Sequence, residues 1–525
     1  MLACRVEMAG ELGVVPVAAP AVESVAVWFA VSFGGPAIIV RQPRSQELHS
    51  RDPGIVSLGC DVARLPCDVA VLPQPMTTTY DPHHPMYLDE AQTRTALAQA
   101  FDVCNGCRKC VDLCPSFPAM FGYVSQGGTS DAGQMTPAQQ DHVIDECFQC
   151  KLCVVGCPYG PGQQETAHDF VQGSSPSFVL DIPRLMLRAD AMRYVNGHVT
   201  VRDKLSTALI GHADLVGKLS VRMARFVNRL LGAKPGSVVR RLLALLTGVA
   251  NNRALPLFTE LRFSTWFDLH PKVRVGKKQG RVSVFPTCVV EYQEPAIGQA
   301  LVRVYEHNGI ECGLSKAACC GAGYLHSGNL AAFTKVAVDN VATLAAEVRK
   351  GNDIVVPQPA CSYVLKHDYV DYVGGPDAQL VAEHTYDAAE YLMKVHRTEG
   401  SSLDMQFTGD VPDTITYHAA SHLRAQRIGL QSRDLLKLMG AKVNLIEQSS
   451  GVESLAGVRT IKADSSRRAS EQLGKLVNRA SGGGVSGDVI CGDCHLSNTA
   501  IAEQTGVVSL HPLQLLARAY GFAAK

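Results

Sequence analysis

The sequence predicts an α+β multidomain fold, in which a small helical module, a helical connector and two α/β units follow one another along 525 residues. Three observations predict it. A cysteine pattern is duplicated early in the chain, a cysteine-free stretch with helical periodicity follows, and strands then alternate with helices in two similar copies. A chain of this length exceeds what one hydrophobic core holds, so we expect about three or four domains.

The composition excludes several classes of function. Lys+Arg and Asp+Glu are both 49, so the chain has no net positive charge that would favour binding to nucleic acid. No nucleic-acid-binding motif is visible either. The chain holds 18 cysteines, mostly in spacings typical of metal ligands, which indicates a reducing compartment and not a disulfide framework. We therefore expect a cytoplasmic protein.

Residues 1–75 differ from the rest, being rich in Ala, Val and Pro with little periodicity. Their apolar stretch from Ala26 to Val40 is interrupted by Gly34-Gly35-Pro36 and is too short to span a bilayer, which needs about 20 residues. We expect residues 1–75 to be a disordered, dispensable or mis-assigned extension. Its cysteines are then not metal ligands: Cys4, Cys60 and Cys67.

Two copies of the run Cys-x2-Cys-x2-Cys-x3-Cys-Pro come next, and each cysteine of the second lies 43 positions after its counterpart. This spacing wraps three thiolates around one iron–sulfur cubane and directs the fourth to a second cluster. The first [4Fe–4S] cluster is accordingly assigned to Cys104, Cys107, Cys110 and Cys157, and the second to Cys114, Cys147, Cys150 and Cys153.

A pair of zinc ribbons is the alternative interpretation. Zinc needs four ligands, usually two Cys-x2-Cys pairs, and has no use for a third cysteine in a run or for the proline. The sequence therefore favours a helical ferredoxin module within residues 76–175, with a helix starting at Thr136-Pro137 between the runs.

The connector, residues 176–275, is expected to be helical. From Lys204 to Gly232, apolar residues recur at helical spacing beside a basic stripe, which predicts one amphipathic, basic helix. Ser237 is expected to cap a further helix through Ala250. Two interpretations stay open. The helices cover the protein's own core, or residues 204–250 make peripheral contact with an anionic membrane surface or a partner.

Strands alternate with helices from about residue 280, which predicts a parallel sheet. The buried strands are expected at 281–286 and 352–357, with helices from Pro295 to Asn308 and from Leu330 to Lys350. Landmarks recur at offsets of 130 to 133 positions, so the strand at 414–418 begins a second copy. The sequence thus predicts two homologous units, 276–400 and 401–525.

The two copies differ in their cysteines. The first holds four after its strands and in its loops, whereas the second has serine at three of the matching positions and keeps only Cys491 and Cys494. Thiolates bind iron readily because their pKa falls beside a metal, and serine lacks this property. We expect a third iron–sulfur cluster in the first copy alone, held by Cys288, Cys319, Cys320 and Cys361.

These motifs together resemble the cysteine-rich "CCG" domain family, found in the B subunit of heterodisulfide reductase and in iron–sulfur subunits of flavin-linked dehydrogenases. The order of ferredoxin module, helical connector and two CCG units is similar to the C-subunit family of anaerobic glycerol-3-phosphate dehydrogenase. The resemblance covers residues 85–525 and is carried by the cysteine runs, ACCGAGY (318–324), PACSYVL (359–365) and CGDCHL (491–496). Ser421 and Ser449-Ser450 depart from the family pattern.

The resemblance implies an electron-transfer component of an oxidoreductase complex, working between a flavoprotein dehydrogenase partner and a quinone or thiol acceptor, in the cytoplasm or peripherally on the inner face of the membrane. One alternative is a thiol or disulfide reductase with the CCG cluster as its catalytic site. Another is a redox sensor or scaffold without enzymatic activity.

Other cofactor sites are not indicated by the sequence. Gly321-Ala322-Gly323 fails the dinucleotide fingerprint, and no flavin or NAD site is visible in the chain. Three histidines lie near the lost cysteine positions, where a mixed thiolate–imidazole metal site is one interpretation and ordinary backbone hydrogen bonding is the commoner one: His418, His422 and His495. No residue of this chain is assigned a catalytic role.

Overall fold

The structure is a computed structural model. It describes residues 28–31, 38–41, 79–126, 131–161, 179–271, 278–453, 456–482 and 488–522. The chain divides into two compact units, Met1–Met76 and Thr77–Lys525. In the first, β1 (Trp28–Val31) pairs antiparallel with β2 (Ile38–Arg41). The other expectations for residues 1–75, including those for Cys4, Cys60 and Cys67, lie outside the described residues.

The cysteine runs lie within a group of short helices. Thr136 caps the third of them with a full capping box, and Pro137 occupies its first turn as the sequence predicts. Each cysteine run begins near the end of a helix. Most of the residues of each run therefore lie outside long helices, where the backbone can turn around the thiols. The helices are α1 (Glu90–Cys107), α2 (Ser116–Gln126), α3 (Pro137–Glu146) and α4 (Leu152–Val155).

The connector is helical, but the single helix expected from Lys204 to Gly232 is wrong. The chain breaks at His212 and at Met223 into three helices, and the helix capped by Ser237 ends at Thr247, where Gly248 adopts a left-handed conformation. The connector helices are α5 (Ile182–Val195), α6 (Val201–Gly211), α7 (Ala213–Arg222), α8 (Ala224–Leu231), α9 (Val238–Thr247) and α10 (Phe263–Leu269).

The first α/β segment, residues 280–397, is built on a four-stranded parallel sheet in the order β4-β3-β5-β6. Its strands are β3 (Gly280–Val284), β4 (Ile310–Leu314), β5 (Asp353–Val356) and β6 (Thr385–Asp387). Its α-helices are α11 (Thr287–Tyr292), α12 (Pro295–His307), α13 (Ala322–Leu325), α14 (Leu330–Arg349), α15 (Pro359–Tyr363), α16 (Tyr369–Tyr372), α17 (Gly375–Glu383) and α18 (Ala388–Arg397).

The second α/β segment, residues 414–519, has the corresponding strand order β8-β7-β9-β10, again all parallel. Its strands are β7 (Thr414–His418), β8 (Lys442–Ile446), β9 (Val489–Gly492) and β10 (Ser509–Leu510). Its α-helices are α19 (Ser421–Ala425), α20 (Gln431–Leu438), α21 (Ala463–Ala480), α22 (His495–Thr505) and α23 (Pro512–Ala519). The predicted α+β fold with ferredoxin-like and cysteine-rich parts is confirmed.

One apolar core is shared by the two α/β segments. Helix α12 of the first packs against helix α23 of the second, and their buried side chains belong to a single cluster. Tyr520 reinforces this contact, because its hydroxyl donates to the Asp404 carbonyl at 2.7 Å while Asn308 lies beside it. Within the described ranges no helix is long and apolar enough to cross a membrane.

Candidate iron–sulfur centres

The first candidate centre, called the first-run site, lies where α1 ends. Arg108 adopts a left-handed backbone conformation (φ 52°) directly after Cys107 and turns the chain back toward the helix end. Four thiols line one recess here: Cys104, Cys107, Cys110 and Cys157. The recess is open to solvent on one side, because Cys107 is exposed.

The second candidate centre, called the second-run site, is more enclosed. Gln149 and Lys151, on either side of buried Cys150, both have positive φ angles (57° and 63°), so the backbone winds tightly around the thiols. The thiols line a recess of about 500 Å³, counting the space open to solvent: Cys114, Cys147, Cys150 and Cys153. The remaining wall is mainly apolar.

Burial dominates the ionisation of these thiols. It raises the pKa of Cys110 to about 11, with Cys157 and Cys107 adding to the shift, and raises the pKa of Cys114 to about 12. The pKa values of Cys150 and Cys153 lie well above the ordinary value for the same reason. A thiolate buried in this way needs compensating positive charge, which bound iron provides while displacing the thiol protons.

The donor sets fit [4Fe–4S] clusters as cofactors. Each recess is lined by three thiols of one cysteine run and the fourth thiol of the other run. This is the arrangement that the spacing predicts for two adjacent cubanes. Among the described residues no group of three or more His, Cys, Asp or Glu side chains converges tightly enough to hold a single metal ion. The thiols surround a recess instead of one point.

A third group of thiols, the cysteine quartet, lies at the carboxyl ends of the first parallel sheet. Cysteine follows each of the strands β3, β4 and β5, at the sheet end where α/β proteins form their sites: Cys288 in α11, Cys319 and Cys320 in the loop before α13, and Cys361 in α15. The Cys320 thiol lies 3.3 Å from the Cys361 thiol and hydrogen-bonds to it. Cys319 hydrogen-bonds with both Cys288 and Cys320, so the four predicted residues of this copy come together.

The quartet distributes its protons unevenly. Hydrogen bonds from Cys288 and Cys320 hold the pKa of the Cys319 thiol well below its usual range, and backbone N–H groups of the loop add to this. Hydrogen bonding to Cys319 and burial raise the pKa of Cys288 and of Cys320. Thr287, which precedes Cys288, has a positive φ of 58°, an unusual conformation for a β-branched residue.

Two side chains that the sequence did not single out hold the loop of Cys319 and Cys320. Asn340 of α14 accepts from the Ala318 N–H at 2.8 Å and donates to the carbonyls of Ala318 and Cys319. Asp214 of the connector accepts from the Cys319 N–H at 2.8 Å and from the Tyr292 hydroxyl at 3.0 Å. Burial raises the pKa of Asp214, with Cys319 contributing.

The connector docks on this site through its small residues. A Cβ added at Gly217 would lie 2.4 Å from the ring of Tyr292, and one at Gly211 would lie 2.1 Å from the ring of Tyr324. The apolar stripe therefore does not mark the docking face, because the inward face holds Gly211, Asp214 and Gly217. Their spacing of three positions was the signal available in the sequence for this contact.

The corresponding place in the second α/β segment is filled by a carboxylate. Glu453 is buried and accepts from the backbone N–H groups of Ser421 at 2.9 Å and Ser450 at 3.3 Å. The His418 and His422 rings approach its carboxylate at 3.9 and 3.8 Å. The serines that replace cysteine thus lie around an acidic side chain. The cysteine and histidine patterns of the sequence did not indicate this role for Glu453.

The remaining predicted residues of the second segment have other partners. His418 Nε2 donates to the Gln448 carbonyl at 2.8 Å, which is backbone hydrogen bonding. The Cys494 thiol accepts from the Gln358 amide of the first segment at 2.9 Å, so the two sheet ends face one another. Burial lowers the pKa of His495 to about 4.

A short path joins the second-run site to the cysteine quartet. The Lys151 ammonium lies 4.8 Å above the ring centroid of Tyr363, two positions after Cys361, and 3.9 Å from the Asp368 carboxylate. Helix α4 packs on α19, and α19 packs on α15, the helix that contains Cys361. Helix α19 of the second α/β segment therefore contacts both the helix of the second cysteine run and the helix that contains Cys361.

Two family models match the chain. The 4Fe-4S dicluster domain matches residues 103–160, which contain both cysteine runs. The cysteine-rich domain, CCG, matches residues 282–366, which contain the quartet. Both matches fall on the regions whose thiols come together in the structure.

Relatives among known proteins agree with these matches. The chain is homologous to the C subunit of anaerobic glycerol-3-phosphate dehydrogenase of Escherichia coli (strain K12), at 24% identity over 412 residues that cover 72% of this chain and 99% of that protein. It is also similar to the B subunit of fumarate reductase (CoM/CoB) of Methanothermobacter marburgensis, at 26% identity over 47% of this chain and 48% of that protein. Lactate utilization protein A of Geobacillus thermodenitrificans is 27% identical over 33% of this chain and 66% of that protein.

These findings confirm the resemblance stated from the motifs. The domains and relatives support an iron–sulfur electron-transfer subunit of an oxidoreductase. The relatives named as subunits of a dehydrogenase and of a reductase support a partner subunit for this chain as well.

Proposed function

We propose that this chain relays electrons through two [4Fe–4S] clusters between a flavoprotein dehydrogenase partner and a quinone or thiol acceptor. The ligands proposed are Cys104, Cys107, Cys110 and Cys157 for one cluster and Cys114, Cys147, Cys150 and Cys153 for the other. The observation that carries the proposal is the pair of recesses, each lined by three thiols of one run and one of the other. Clusters of this type, when bound, exchange single electrons.

The two recesses suit different tasks. The first-run site has an exposed rim formed by Cys107 and Lys109, and an exposed rim allows a partner's cofactor to approach. The second-run site is enclosed by apolar side chains and by the second α/β segment, which exclude water. We therefore assign the exchange with the flavoprotein to the first-run site and the onward transfer to the second-run site.

The cysteine quartet is proposed as the site of a third iron–sulfur cluster. Its thiols are Cys288, Cys319, Cys320 and Cys361, with Asn340 holding the loop of the cysteine pair. We propose the domain boundaries that the sequence predicts. They give a ferredoxin-like domain at 76–175, a connector at 176–275 and two cysteine-rich units at 276–400 and 401–525. The second unit is proposed to have no cluster of its own, because Glu453 occupies the corresponding place.

Peripheral membrane contact on the cytoplasmic face is proposed through residues 204–250. Much of the apolar stripe of residues 204–232 faces solvent, with Leu219 54% and Phe226 58% exposed, and Leu245 of α9 is 66% exposed. These exposed side chains do not cover the protein's own core. Exposed basic side chains flank it, which favours an anionic lipid surface: Lys218, Arg222, Arg225, Arg229, Lys234 and Arg241.

Sedimentation with vesicles tests this contact. The full chain should bind vesicles that contain anionic lipid more strongly than vesicles of neutral lipid, and Leu245→Asp should weaken that binding severalfold. Val338→Asp, which alters an exposed apolar residue on α14, is the matched control and should bind like the wild type. Equal binding by Leu245→Asp and the wild type would contradict the membrane contact.

The electron-transfer proposal is tested by iron and acid-labile sulfide per chain on anaerobically purified protein, with electron paramagnetic resonance of the reduced and oxidised forms. We expect about twelve irons, falling to about eight with loss of one signal in Cys319→Ser/Cys320→Ser. About eight irons in both proteins would overturn the third cluster and keep the two-cluster relay. Fewer than eight in the wild type would overturn the relay itself.

A catalytic test separates the relay from the thiol reductase alternative. With an artificial electron donor, the isolated chain should transfer electrons to a dye but should not reduce a disulfide, because the relay needs its partners for turnover. Disulfide reduction that depends on Cys319 and Cys320 would instead assign the chemistry to the quartet.

A further inference from the structure

The second α/β segment closes the second-run site with a buried cation. Lys462 precedes α21, far along the chain from the cysteine runs, and its side chain is 1% exposed. Its ammonium donates to the carbonyl of Cys147 at 2.8 Å and to that of Ile144 at 2.9 Å. These two hydrogen bonds hold the Lys462 ammonium next to the backbone of Cys147, a proposed cluster ligand.

A buried anion accompanies this cation. Asp190, on the connector helix α5, lies 3.7 Å from the Lys462 ammonium, and its side chain is 11% exposed. The two groups carry opposite charges beside the second-run site, so they act in opposite directions on any charge that changes there. Lys151 is a second buried cation at this site, but it lies inside the cysteine run itself.

Further contacts fix the segment against this site. The Arg468 guanidinium pairs with the Glu146 carboxylate at 2.7 Å, and the hydroxyl of Ser465 also donates to Glu146. Ala469 belongs to the same buried cluster as Cys150 and Leu152. These contacts hold α21, the helix that follows Lys462, against the second-run site.

We propose that Lys462 and Asp190 are positioning residues that set the reduction potential of the second-run site, so that the second α/β segment keeps an electrostatic role in place of its own cluster. This inference rests on the proposed ligands. Reduction adds negative charge at the site, and a buried ammonium favours that charge more than a solvated one does. The carboxylate of Asp190 has the opposite effect.

The experiment is a redox titration of the full chain, followed by electron paramagnetic resonance. It compares the wild type with Lys462→Met, Lys462→Arg and Asp190→Asn, with the second-run signal identified as the one altered by Cys147→Ser. The potential of that signal should shift to more negative values in Lys462→Met, return toward the wild type in Lys462→Arg, and shift to more positive values in Asp190→Asn. The first-run signal should stay unchanged in all of them.

A matched control removes a lysine elsewhere in the same segment. Lys475 is exposed on α21, so Lys475→Met should leave both potentials as they are. A purely structural role would not give shifts of opposite sign. Shifts in the same direction, or an unchanged second-run potential with iron retained, would overturn the inference.

Two other outcomes are also decisive. If Lys462→Met loses iron, the potential of the second-run signal in Asp190→Asn becomes the test. The inference is overturned unless that potential shifts to a more positive value. If the wild type itself lacks two ferredoxin-type signals, the proposed ligands fail first, and the inference is overturned with them.

Discussion

At the residue scale, the cysteine quartet depends on side chains that are not among its proposed ligands. Asn340 uses both its amide oxygen and its amide nitrogen on the loop of Cys319 and Cys320, and also donates to the Tyr369 hydroxyl at 2.9 Å. Tyr369 in turn donates to the Cys320 carbonyl at 3.0 Å. Because these groups are buried, losing one partner would leave others unsatisfied, at a cost of about 1–3 kcal/mol each.

His511 gives a prediction of pH dependence. It caps α23, with its Nδ1 accepting from the Leu513 N–H at 3.2 Å, and burial lowers the pKa of His511 from 6.5 to about 4. Below pH 6.5 the unfolded chain therefore binds a proton that the folded chain does not. Stability from this group is complete above pH 6.5 and is lost as the pH falls toward 4.

The size of this effect follows from the difference between the two pKa values of His511. We expect the free energy of unfolding to fall by about 2 kcal/mol between pH 7 and pH 5 because of this residue. His511→Asn keeps a capping side chain and removes the ionisable ring, so its loss on acidification should be smaller by that amount. Anaerobic denaturant unfolding at both pH values measures it, with exposed His83→Asn as the control. Equal losses for His511→Asn and the wild type would contradict the prediction.

At the scale of elements, the connector helices carry two opposite faces. The face toward the quartet holds Asp214 and the two glycines that meet aromatic rings, whereas Leu215 and Leu219 point to solvent. Helix α7 is therefore held in place by close backbone approach and not by large apolar side chains. This arrangement leaves the apolar residues free for the proposed membrane contact.

Substitution of Gly217 tests the close approach. We expect Gly217→Ala to destabilise the protein by about 1–3 kcal/mol, because its Cβ would collide with the Tyr292 ring and force α7 away from Cys319. Denaturant unfolding measures the cost, and loss of the quartet's paramagnetic signal reports the displacement.

Gly122 offers the matched control for this prediction. It lies in α2 with open space around its Cα, so Gly122→Ala should stabilise the helix by about 0.5–1 kcal/mol. A Gly217→Ala protein as stable as Gly122→Ala would mean that α7 does not dock through its glycine.

At the scale of the whole molecule, the two ferredoxin-type sites differ in what covers them. The first-run site lies at the surface, with Cys107 exposed, while the second-run site is covered by α19, α21 and the buried apolar cluster of Phe148 and Leu152. The second α/β segment, which has serine in place of three of the four quartet cysteines, thus covers another site.

This difference predicts the order in which iron is lost to a chelator. Under anaerobic conditions the first-run site should release its iron in a fast phase and the second-run site in a slow one. The reason is that a chelator reaches an exposed cluster more readily than an enclosed one. Ala469→Asp introduces a charge into the buried cluster beside Cys150 and should make the slow phase severalfold faster.

Arg479→Asp, which alters an exposed residue near the end of the same helix, should leave the slow phase unchanged. The two phases are followed by absorbance of the iron–chelator complex and assigned by the paramagnetic signal that disappears first. Release of the second-run iron before the first-run iron would contradict the enclosure.

The sequence by itself determined the parts of this protein that are local. Cysteine spacing predicted which thiols share each recess, periodicity predicted the strands at 281–286 and 414–418, and Thr136-Pro137 predicted a helix start. These features depend on neighbours within a few positions, or on a repeat that is visible in the chain. The motifs also indicated the class of the relatives.

Only the tertiary structure decided which distant elements meet. Periodicity predicted one helix from Lys204 to Gly232, but the chain forms three shorter helices there, and Leu215, Leu219 and Phe226 are exposed. Nothing near Lys462 in the chain indicates that it lies beside a thiol site. The spacing around Asp214 and the serines before Glu453 mark these two regions, but they do not predict which groups the two carboxylates contact. The physical reason is that burial and charge act through space, so their partners are fixed by packing and not by distance along the chain.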